Sequence, residues 1–354
     1  MTGEILLISA EEVAAHLTYA ECIPLMREAM MALSSGRTRQ RLREIIDLDG
    51  GRAFGVMPGA MDGGGFGAKL ISVFPGAAGT PSHQGVVALF DAATGAPSAI
   101  IDASEVTGIR TSAASAAATD ALARPEARTL AILGTGEQAL RHAEAIRLVR
   151  DVDAILVWGR SREKAEALAR RVGGRAVATA EEAAREADII CTVSAAPEPV
   201  LLSAWVQDGT HVNAVGSSRL GPVEIDTALV ARARFFADHS DGVLRQGAEF
   251  RRALDEGAIG EEHLLGEIGE VMAGTLSGRV SPDDVTLYKS LGSIVQDLAA
   301  GAFLSKRRGA RGSGRASPSD VHPIRRGHVV ACEISTEMET NRWPISARSG
   351  SIWT

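Results

Sequence analysis

The sequence predicts an α/β protein whose second half forms a doubly wound parallel sheet. Two observations carry this prediction. Short apolar segments alternate with helical segments from Ala127 onward, and a glycine-rich turn joins the first such segment to the helix that follows it. The predicted strands are TLAILG, AILVWG, ADIICTVS, HVNAVG and RARFFAD. With 354 residues, 45% of them hydrophobic, the chain is long enough for two domains with separate cores.

The first half predicts a mixed arrangement of helices and antiparallel strands. Residues 5–34 predict a strand and then helix, because apolar positions recur three and four residues apart. Residues 42–57 and 66–74 are predicted strands with Gly-rich turns between them, and GVVALFDAATGAPSAIIDA is a predicted hairpin. The segment VTGIRTSAASAAATDALA predicts a helix of small residues that can pack closely. A final helix is expected near LYKSLGSIVQDLAAGAFL.

Composition and charge exclude several classes of protein. No run of eighteen apolar residues is present, and the N-terminus lacks a charged leader followed by an apolar stretch. The three cysteines, Cys22, Cys191 and Cys332, are far apart and odd in number, which argues against a disulfide framework and against a zinc site. We therefore expect a cytoplasmic enzyme with no metal centre and no membrane span.

The last fifty residues differ in charge from the rest of the chain. Residues 305–354 contain nine basic and four acidic residues, although the whole chain has a net charge of -7. Their first part, SKRRGARGSGRASPSD, has no apolar periodicity, so a disordered, solvated tail is expected over residues 306–354. A basic arm that contacts nucleic acid is the alternative. The acidic body gives no reason to expect nucleic-acid binding.

A candidate dinucleotide site follows the strand TLAIL. The turn reads Gly134-Thr135-Gly136-Glu-Gln138-Ala139, which is the Gly-x-Gly-x-x-Ala form of the nucleotide fingerprint. Gly134 allows the tight turn, Gly136 lets the backbone approach a pyrophosphate, and Ala139 lets the helix pack on the strand. The helix N-terminus supplies free N–H groups for the phosphates. An ordinary glycine turn is the alternative, but the flanking strand and helix favour a Rossmann-type site.

The end of the next strand indicates which dinucleotide is bound. Sites for NAD usually place Asp or Glu there, whereas this chain has Arg160-Ser161-Arg162. Two guanidiniums and a hydroxyl suit a 2′-phosphate, so NADPH is favoured over NADH, and a solvated loop is the alternative. The predicted cofactor set also includes residues at the ends of two later strands, Val193, Val215 and Gly216.

Three cations in the first half lie where exposure to solvent is not expected. Arg43 is in a predicted strand, Lys69 is embedded in FGAKLISVF, and Arg110 starts the small-residue helix. Each alone is more often a snorkelling or salt-bridged side chain, but together they suit a clamp for a substrate carboxylate. His83, in the loop TPSHQG, is equally consistent with loop capping and with proton transfer. These patterns predict an NADP-linked enzyme that acts on a small anion.

The same residues lie in a series of motifs that resembles the ornithine cyclodeaminase/mu-crystallin family over residues 1–305. The motifs are, in order, LREII, VMPG, AKLISVFPG, TPSHQGVVALFD, VTGIRTSAASA, LAILGTGEQA, WGRSREKA, VNAVGSSRLGPVEID, GEIGEVMAG and YKSLGSIVQD. The resemblance implies a homodimer with a discontinuous α+β substrate and dimerisation domain around a Rossmann domain. It implies a first part over residues 1–118, the Rossmann domain over residues 119–282, and a returning helix over residues 283–305.

The resemblance also implies roles for the cationic residues. In such proteins the residues matching Arg43, Lys69 and Arg110 hold the substrate carboxylate beside the nicotinamide, and we include His83 in the substrate site. A cyclic imine such as 1-pyrroline-2-carboxylate or 1-piperideine-2-carboxylate would receive hydride from NADPH at C2, giving proline or pipecolate. Lys69, Ser218 or an ordered water would handle the proton.

One departure from the family pattern bears on the reaction. Cyclodeaminases carry an Asp in the loop where this chain has Gly216-Ser217-Ser218-Arg219, so Ser218 occupies the aligned position. A hydroxyl cannot serve as a carboxylate base near neutral pH. The Ser-Arg version resembles the mu-crystallin and imine-reducing members. Ornithine cyclodeamination is therefore the runner-up, and an alanine-dehydrogenase-type amination and a non-catalytic NADPH-binding protein are further alternatives.

Overall fold

Two β-sheets organise the chain in the computed structural model, which describes residues 5–74, 83–218 and 220–312. The first sheet contains β1 (Leu6–Ile8), β2 (Thr38–Gln40), β3 (Glu44–Leu48), β4 (Arg52–Met61), β5 (Gly65–Val73), β6 (His83–Phe90) and β7 (Pro97–Asp102). Its order is β1-β7-β6-β5-β4-β2, and β3 pairs with β4 beside β2. Only the β1–β7 pair is parallel among these, so the sheet is almost entirely antiparallel.

The second sheet is parallel throughout and confirms the predicted doubly wound fold. Its strands are β8 (Thr129–Leu133), β9 (Ala154–Trp158), β10 (Arg175–Ala176), β11 (Ile189–Thr192), β12 (His211–Ala214), β13 (Arg234–Ala237), β14 (Leu264–Glu267) and β15 (Thr286–Lys289). The order is β10-β9-β8-β11-β12-β15-β13-β14. Successive strands are added on one side of β8 up to β10 and on its other side from β11 onward. A topological switch point therefore lies between β8 and β11, and such sheets bind ligands there.

Eleven α-helices accompany these strands in the described residues. They are α1 (Ala10–His16), α2 (Tyr19–Ser34), α3 (Ala103–Leu122), α4 (Glu137–Ile146), α5 (Arg162–Val172), α6 (Ala180–Glu186), α7 (Thr227–Arg232), α8 (Ser240–Gln246), α9 (Ala248–Asp255), α10 (Ile268–Met272) and α11 (Ile294–Gly312). The predicted helical region of the N-terminus divides into α1 and α2, because Ser9 and Thr18 each form a capping box with a glutamate three residues later. None of the described helices is both long and apolar enough to cross a bilayer.

The small-residue helix α3 connects the two sheets. It contacts β6 of the first sheet, β12 of the second, and helices α2 and α4. Ala113, Ala116 and Ala117 are fully buried, and their small side chains let neighbouring elements approach on several sides. Asn213 on β12 donates its Nδ2 to Thr119 Oγ1 at 2.9 Å, which fixes α3 against the second sheet.

The C-terminal part departs from the prediction in two ways. The predicted final helix was wrong for its first residues, since Thr286–Lys289 forms the buried strand β15 between β12 and β13. A short buried apolar run has no period that separates a strand from a helix, and only its neighbours decide. The prediction of a disordered tail from residue 306 was also wrong at its start, because α11 continues to Gly312. Residues 313–354 lie outside the described chain.

Two fully buried histidines link stability to pH. His142 on α4 donates from Nδ1 to the Gln138 carbonyl at 2.8 Å, and its Nε2 accepts from Ser115 Oγ on α3 at 3.0 Å. The tautomer follows because a carbonyl can only accept. Burial lowers the pKa of His142 to about 4 and that of His211 to about 3. Both rings are therefore neutral in the folded protein.

We expect the free energy of unfolding to fall as the pH drops below about 6.5. The unfolded imidazole takes up a proton there and the folded one does not, so acid favours the unfolded state until the pH reaches about 4, the folded pKa of His142. The loss from His142 is about 2 kcal/mol by about pH 5. Urea unfolding at about pH 7.5 and about pH 5 should show a smaller loss in His142→Gln than in the wild type. Equal losses would contradict this assignment.

Candidate active site

A buried ion cluster lies between the first sheet and α3 and α11. Lys69 on β5 and Arg110 on α3 are 2% and 5% exposed, and both reach the same oxygen, Oδ1 of Asp297 on α11, at 3.3 and 3.2 Å. Lys69 Nζ also donates to the hydroxyl of Thr107, and Arg110 Nη1 donates to Oε1 of Gln296 at 2.6 Å. The second oxygen of Asp297 is buried with no hydrogen-bond partner among the described residues. The cluster therefore brings two cations to one carboxylate.

Arg43 joins this cluster to the carboxyl edge of the second sheet. Its Nη2 donates to the carbonyl of Leu291 and, at 3.1 Å, to that of Gly292, in the loop after β15. The Gly292 N–H in turn donates to Oδ2 of Asp238, which follows β13, at 2.6 Å. Burial raises the pKa of the Asp238 carboxyl, and the Gly292 N–H and the Arg43 charge oppose that rise. The three predicted cations thus converge where the parallel strands end.

The cluster changes the protonation of Lys69. Burial lowers the pKa of Lys69 to about 8, and the Asp297 carboxylate limits this shift because it stabilises the ammonium. Burial also lowers the pKa of Arg43, but a guanidinium stays protonated in proteins. Arg43, Lys69 and Arg110 are thus grouped with two buried acids, Asp238 and Asp297.

Three of the sequence-based positions need correction. Arg43 precedes β3 and is not in a strand, because the extended segment before Glu44 leaves the sheet to reach Leu291 and Gly292. Arg110 lies in the third turn of α3 and does not start it, since Asp102 caps the helix. His83 is the first residue of β6, paired opposite Val73, and not a loop residue.

The predicted dinucleotide turn has the geometry that its sequence requires. Gly134 follows β8 with φ +145°, and a Cβ there would lie 2.6 Å from the carbonyl oxygen of Val193, so only glycine fits. Gly136 is the N-cap of α4, with no side-chain cap and open space around its Cα. Gln138 has a buried Oε1 without a partner in the described chain, and Ala139 is fully buried against β8. Free N–H groups and open space fit a pyrophosphate.

The two arginines that follow β9 differ in their partners. Ser161 caps α5 by accepting from the Lys164 N–H at 3.3 Å, and Arg162 is paired with Glu166 at 2.8 Å. Arg160 is exposed and has no ion pair with any residue that the structure describes. Thr135 lies beside this loop, since a Cβ on Gly159 would lie 2.5 Å from its methyl group. Among the described residues, Arg160 is therefore the exposed arginine at the end of β9 that lacks an ion pair.

Val193, Val215 and Gly216 lie together at the ends of β11 and β12. Val193 and Val215 are largely buried, and the Val215 and Gly216 N–H groups both donate to the Thr192 carbonyl, at 3.0 and 3.2 Å. Ser218 is half-buried in the loop that follows. In the described part of the chain, no three His, Cys, Asp or Glu side chains form a group that could hold a metal ion.

Sequence reasoning missed the acidic residues that organise the site. Asp297 lies in the apolar segment IVQDLAAGAFL, and Asp238 ends a buried strand. A lone acid in the buried first part of α11 was the available signal, because such a charge requires a partner. The partner could not be read from the chain, since Lys69 and Asp297 are 228 residues apart.

The curated relatives of this chain include imine reductases. It is 34% identical over 320 residues to a Delta(1)-pyrroline-2-carboxylate reductase of Bacillus cereus, covering 87% of this chain and 98% of that protein. It is 36% identical over 305 residues to the ketimine reductase mu-crystallin of Mus musculus, covering 83% of this chain and 94% of that protein.

Solved structures share the whole fold. The Delta(1)-pyrroline-2-carboxylate reductase of Thermococcus litoralis, in complex with NADH and L-proline, has a TM-score of 0.83 and 29% identity, covering 87% of this chain and 98% of that one. An archaeal alanine dehydrogenase dimer with bound NAD has a TM-score of 0.82 and 28% identity, and the match covers 87% of this chain and 97% of that one.

The fold and its relatives define the class of protein: an NAD(P)H-dependent oxidoreductase, here with a cluster of buried cations at the edge of its parallel sheet. The family model for the ornithine cyclodeaminase/mu-crystallin family matches residues 4–310. The chain belongs to that family.

Proposed function

We propose that the protein reduces a cyclic imine carboxylate, 1-pyrroline-2-carboxylate or 1-piperideine-2-carboxylate, to L-proline or L-pipecolate. The observation that carries this proposal is the convergence of Arg43, Lys69 and Arg110 beside the end of β15, next to a dinucleotide fold. When bound, NAD(P)H supplies the hydride for this reaction. Relatives described as reductases of such imines support the same reaction.

In this proposal the three cations bind and orient the substrate carboxylate. A guanidinium can hold a carboxylate with two parallel hydrogen bonds, and the Lys69 ammonium adds a point charge from the other sheet. The three cations outnumber the two acids, Asp238 and Asp297, so the site has positive charge available for a substrate carboxylate.

The residues at the dinucleotide turn would hold the cofactor so that the substrate meets its reactive end. Gly134, Gly136 and the first turn of α4 bind the pyrophosphate, Val193 and Gly216 border the nicotinamide end, and Arg160 binds a 2′-phosphate. Orientation of the two reacting carbons at about 3–3.5 Å supplies much of the rate enhancement in such reactions.

Protonation of the imine nitrogen makes its carbon electrophilic, and two groups of this chain can supply or hold that proton. Lys69 has a pKa of about 8 and is protonated at neutral pH. Its ammonium can therefore donate a hydrogen bond or a proton to the imine nitrogen while it holds the carboxylate. The Ser218 hydroxyl lies in the loop after β12 and can donate a hydrogen bond. Both remain the proposed catalytic residues.

Ornithine cyclodeamination is the second candidate and is less well supported. It requires a carboxylate in the loop after β12, where this chain has Ser218. The next acid along that loop is Glu224, whose two oxygens already accept four hydrogen bonds. No free carboxylate base is therefore available from that part of the chain.

The experiment that tests the proposal follows NADPH oxidation with the two cyclic imines, with an acyclic dicarboxylate imine, and with pyruvate plus ammonia. A parallel assay with ornithine and NAD measures ammonia. We expect kcat/KM for a cyclic imine to exceed that of every other substrate by about 100-fold or more. Ammonia and proline from ornithine would establish the cyclodeaminase, preferred pyruvate amination would establish an alanine dehydrogenase, and silence in all assays would leave a binding protein.

We expect Arg160→Ala to weaken NADPH binding by about tenfold, or about 1.4 kcal/mol, while NADH binding changes by less than about twofold. The reason is that only NADPH carries the 2′-phosphate. Calorimetric titration of both cofactors measures the effect. Arg162→Ala is the matched control, because Arg162 begins α5 and is paired with Glu166 on the same helix. Equal weakening of both cofactors by Arg160→Ala would contradict a 2′-phosphate site.

A homodimer forms part of this proposal. β3 is an edge strand whose five residues are all exposed, including Ile45, Ile46 and Leu48. An edge strand with exposed apolar side chains is a surface for pairing with a second chain. The alanine dehydrogenase with this fold is described as a dimer. Light scattering is expected to give twice the 37.0 kDa mass of the chain, and Ile46→Glu is expected to lower it.

A further inference from the structure

Another buried acid, Glu224, lies between the loops that follow β11 and β12. Its Oε1 accepts from the Ser194 N–H at 2.6 Å and from the Ser194 hydroxyl at 2.8 Å. Its Oε2 accepts from the Gly216 N–H at 2.6 Å and from the Thr192 hydroxyl at 2.8 Å. Glu224 is fully buried. One carboxylate therefore joins two loops that belong to different strands.

This arrangement requires a carboxylate at position 224. Each oxygen faces a backbone N–H, which can only donate, so both atoms at the end of the side chain must accept. Glutamine has the same shape, but one of its two terminal atoms is an NH2 group and would face a donor. Burial raises the pKa of Glu224, and the hydrogen bonds to Ser194 and Thr192 and the charge of Lys289 oppose that rise.

The backbones of the β11 and β12 loops pack directly against each other at Gly216. A Cβ on Gly216 would lie 2.0 Å from the Ser194 carbonyl oxygen, so glycine alone allows the two backbones to approach this far. A second set of hydrogen bonds and an ion pair holds the loop after β12. Lys289 donates to the Ser217 carbonyl at 2.7 Å and is paired with Glu249 at 2.8 Å, and Glu249 accepts from the Glu224 N–H at 3.2 Å.

We propose that Glu224 is a positioning residue that sets the nicotinamide end of the cofactor site by holding the β11 and β12 loops together. The inference rests on the proposed use of a nicotinamide cofactor, because Val193 and Gly216 on these loops are the residues assigned to that end. Without the carboxylate, the Ser194 N–H loses its acceptor, the Gly216 N–H keeps only its longer bond to the Thr192 carbonyl, and the loops separate. The pyrophosphate turn at Gly134–Gly136 belongs to β8 and α4 and keeps its own hydrogen bonds.

The test compares two ligands that differ only at the nicotinamide. 2′-phospho-ADP-ribose has the adenosine, the 2′-phosphate, the pyrophosphate and the second ribose of NADPH and lacks the nicotinamide ring. We expect Glu224→Gln to lower the ratio of NADPH affinity to 2′-phospho-ADP-ribose affinity by about tenfold, and to lower kcat at saturating NADPH by about 100-fold. Calorimetry of the two ligands needs no substrate, so this readout stands even if the imine is not the substrate.

Asp188→Asn is the matched control. Asp188 precedes β11 at the opposite edge of the sheet and also accepts from two backbone N–H groups, those of Arg128 and Thr129, at 2.8 and 2.9 Å. The Asp188→Asn variant should have a lower melting temperature and an unchanged ratio of NADPH affinity to 2′-phospho-ADP-ribose affinity. An unchanged ratio in Glu224→Gln, or an equal loss of both ligands, would overturn the proposal and leave Glu224 a support of the fold.

If Glu224→Gln does not fold, Thr192→Val replaces it. This variant removes one hydroxyl donor from Oε2 and leaves both backbone bonds. The affinity ratio should then fall by a smaller factor of about two to three. A ratio equal to that of the wild type would overturn the proposal.

Discussion

Replacing Lys69 by alanine is expected to abolish imine reduction while NADPH binding stays within about twofold of the wild type. Lys69 is buried beside Arg110 and Asp297, on the first sheet and away from the turn that we propose binds the pyrophosphate. The substrate carboxylate then loses one of its three cations, and the imine loses a proton source. We expect kcat/KM to fall by about 1,000-fold or more. Stopped assays with an excess of enzyme measure the residual rate, and calorimetry measures NADPH affinity.

Two variants separate charge from packing in this experiment. Lys69→Met keeps most of the side-chain volume and removes the charge, so it should lose as much activity as Lys69→Ala. Lys306→Ala removes an exposed lysine of α11 and should leave kcat/KM unchanged. If both Lys69 variants lose NADPH binding and turnover to the same degree, Lys69 supports the fold and does not act on the substrate.

Asp297→Asn is expected to have two separate effects, one on stability and one on the pH profile. Asp297 is fully buried and is the carboxylate shared by Lys69 and Arg110. Its loss leaves two buried cations without their counter-ion, so we expect the free energy of unfolding to fall by about 3 kcal/mol. Urea unfolding near neutral pH measures this loss.

The pH profile reports the effect on Lys69 directly. In the wild type, kcat/KM should fall as the pH rises through about 8, because the ammonium loses its proton there. Asp297 stabilises the ammonium, so Asp297→Asn lowers the pKa of Lys69 and should move this fall about one pH unit lower. Asp188→Asn, which removes an acid paired with Arg124 far from the site, should reduce stability without moving the profile. An unmoved profile in Asp297→Asn would show that Lys69 does not titrate in the reaction.

Local features of the sequence were sufficient for the second sheet and its turn. The five predicted strands correspond to β8, β9, β11, β12 and β13, because buried parallel strands are continuous apolar runs. The strands β10 and β14 were missed because neither is a continuous buried apolar run, and β15 was taken for helix because it lies directly before the apolar residues that begin α11.

The candidate site was predictable only in part: the sequence indicated its cations but not its acids. The cations Lys69 and Arg110 stand out in their segments because a charge is rare among apolar and small residues. Their shared carboxylate did not stand out, and neither did the acid between the β11 and β12 loops. An acid near the surface and an acid that bridges two loops have the same local sequence, and only the partners distinguish them.

By itself the sequence determined the alternation of strands and helices and the position of the dinucleotide turn, because glycine is required wherever the backbone adopts φ near +145° beside another carbonyl. The tertiary structure alone decided that Asp297 neutralises Lys69 and Arg110, and that Glu224 joins Ser194 to Gly216. Those partners lie 187 and 228 residues apart in the first case and on separate strands in the second. A buried charge is satisfied by whichever group the fold brings to it, and no local pattern records that group.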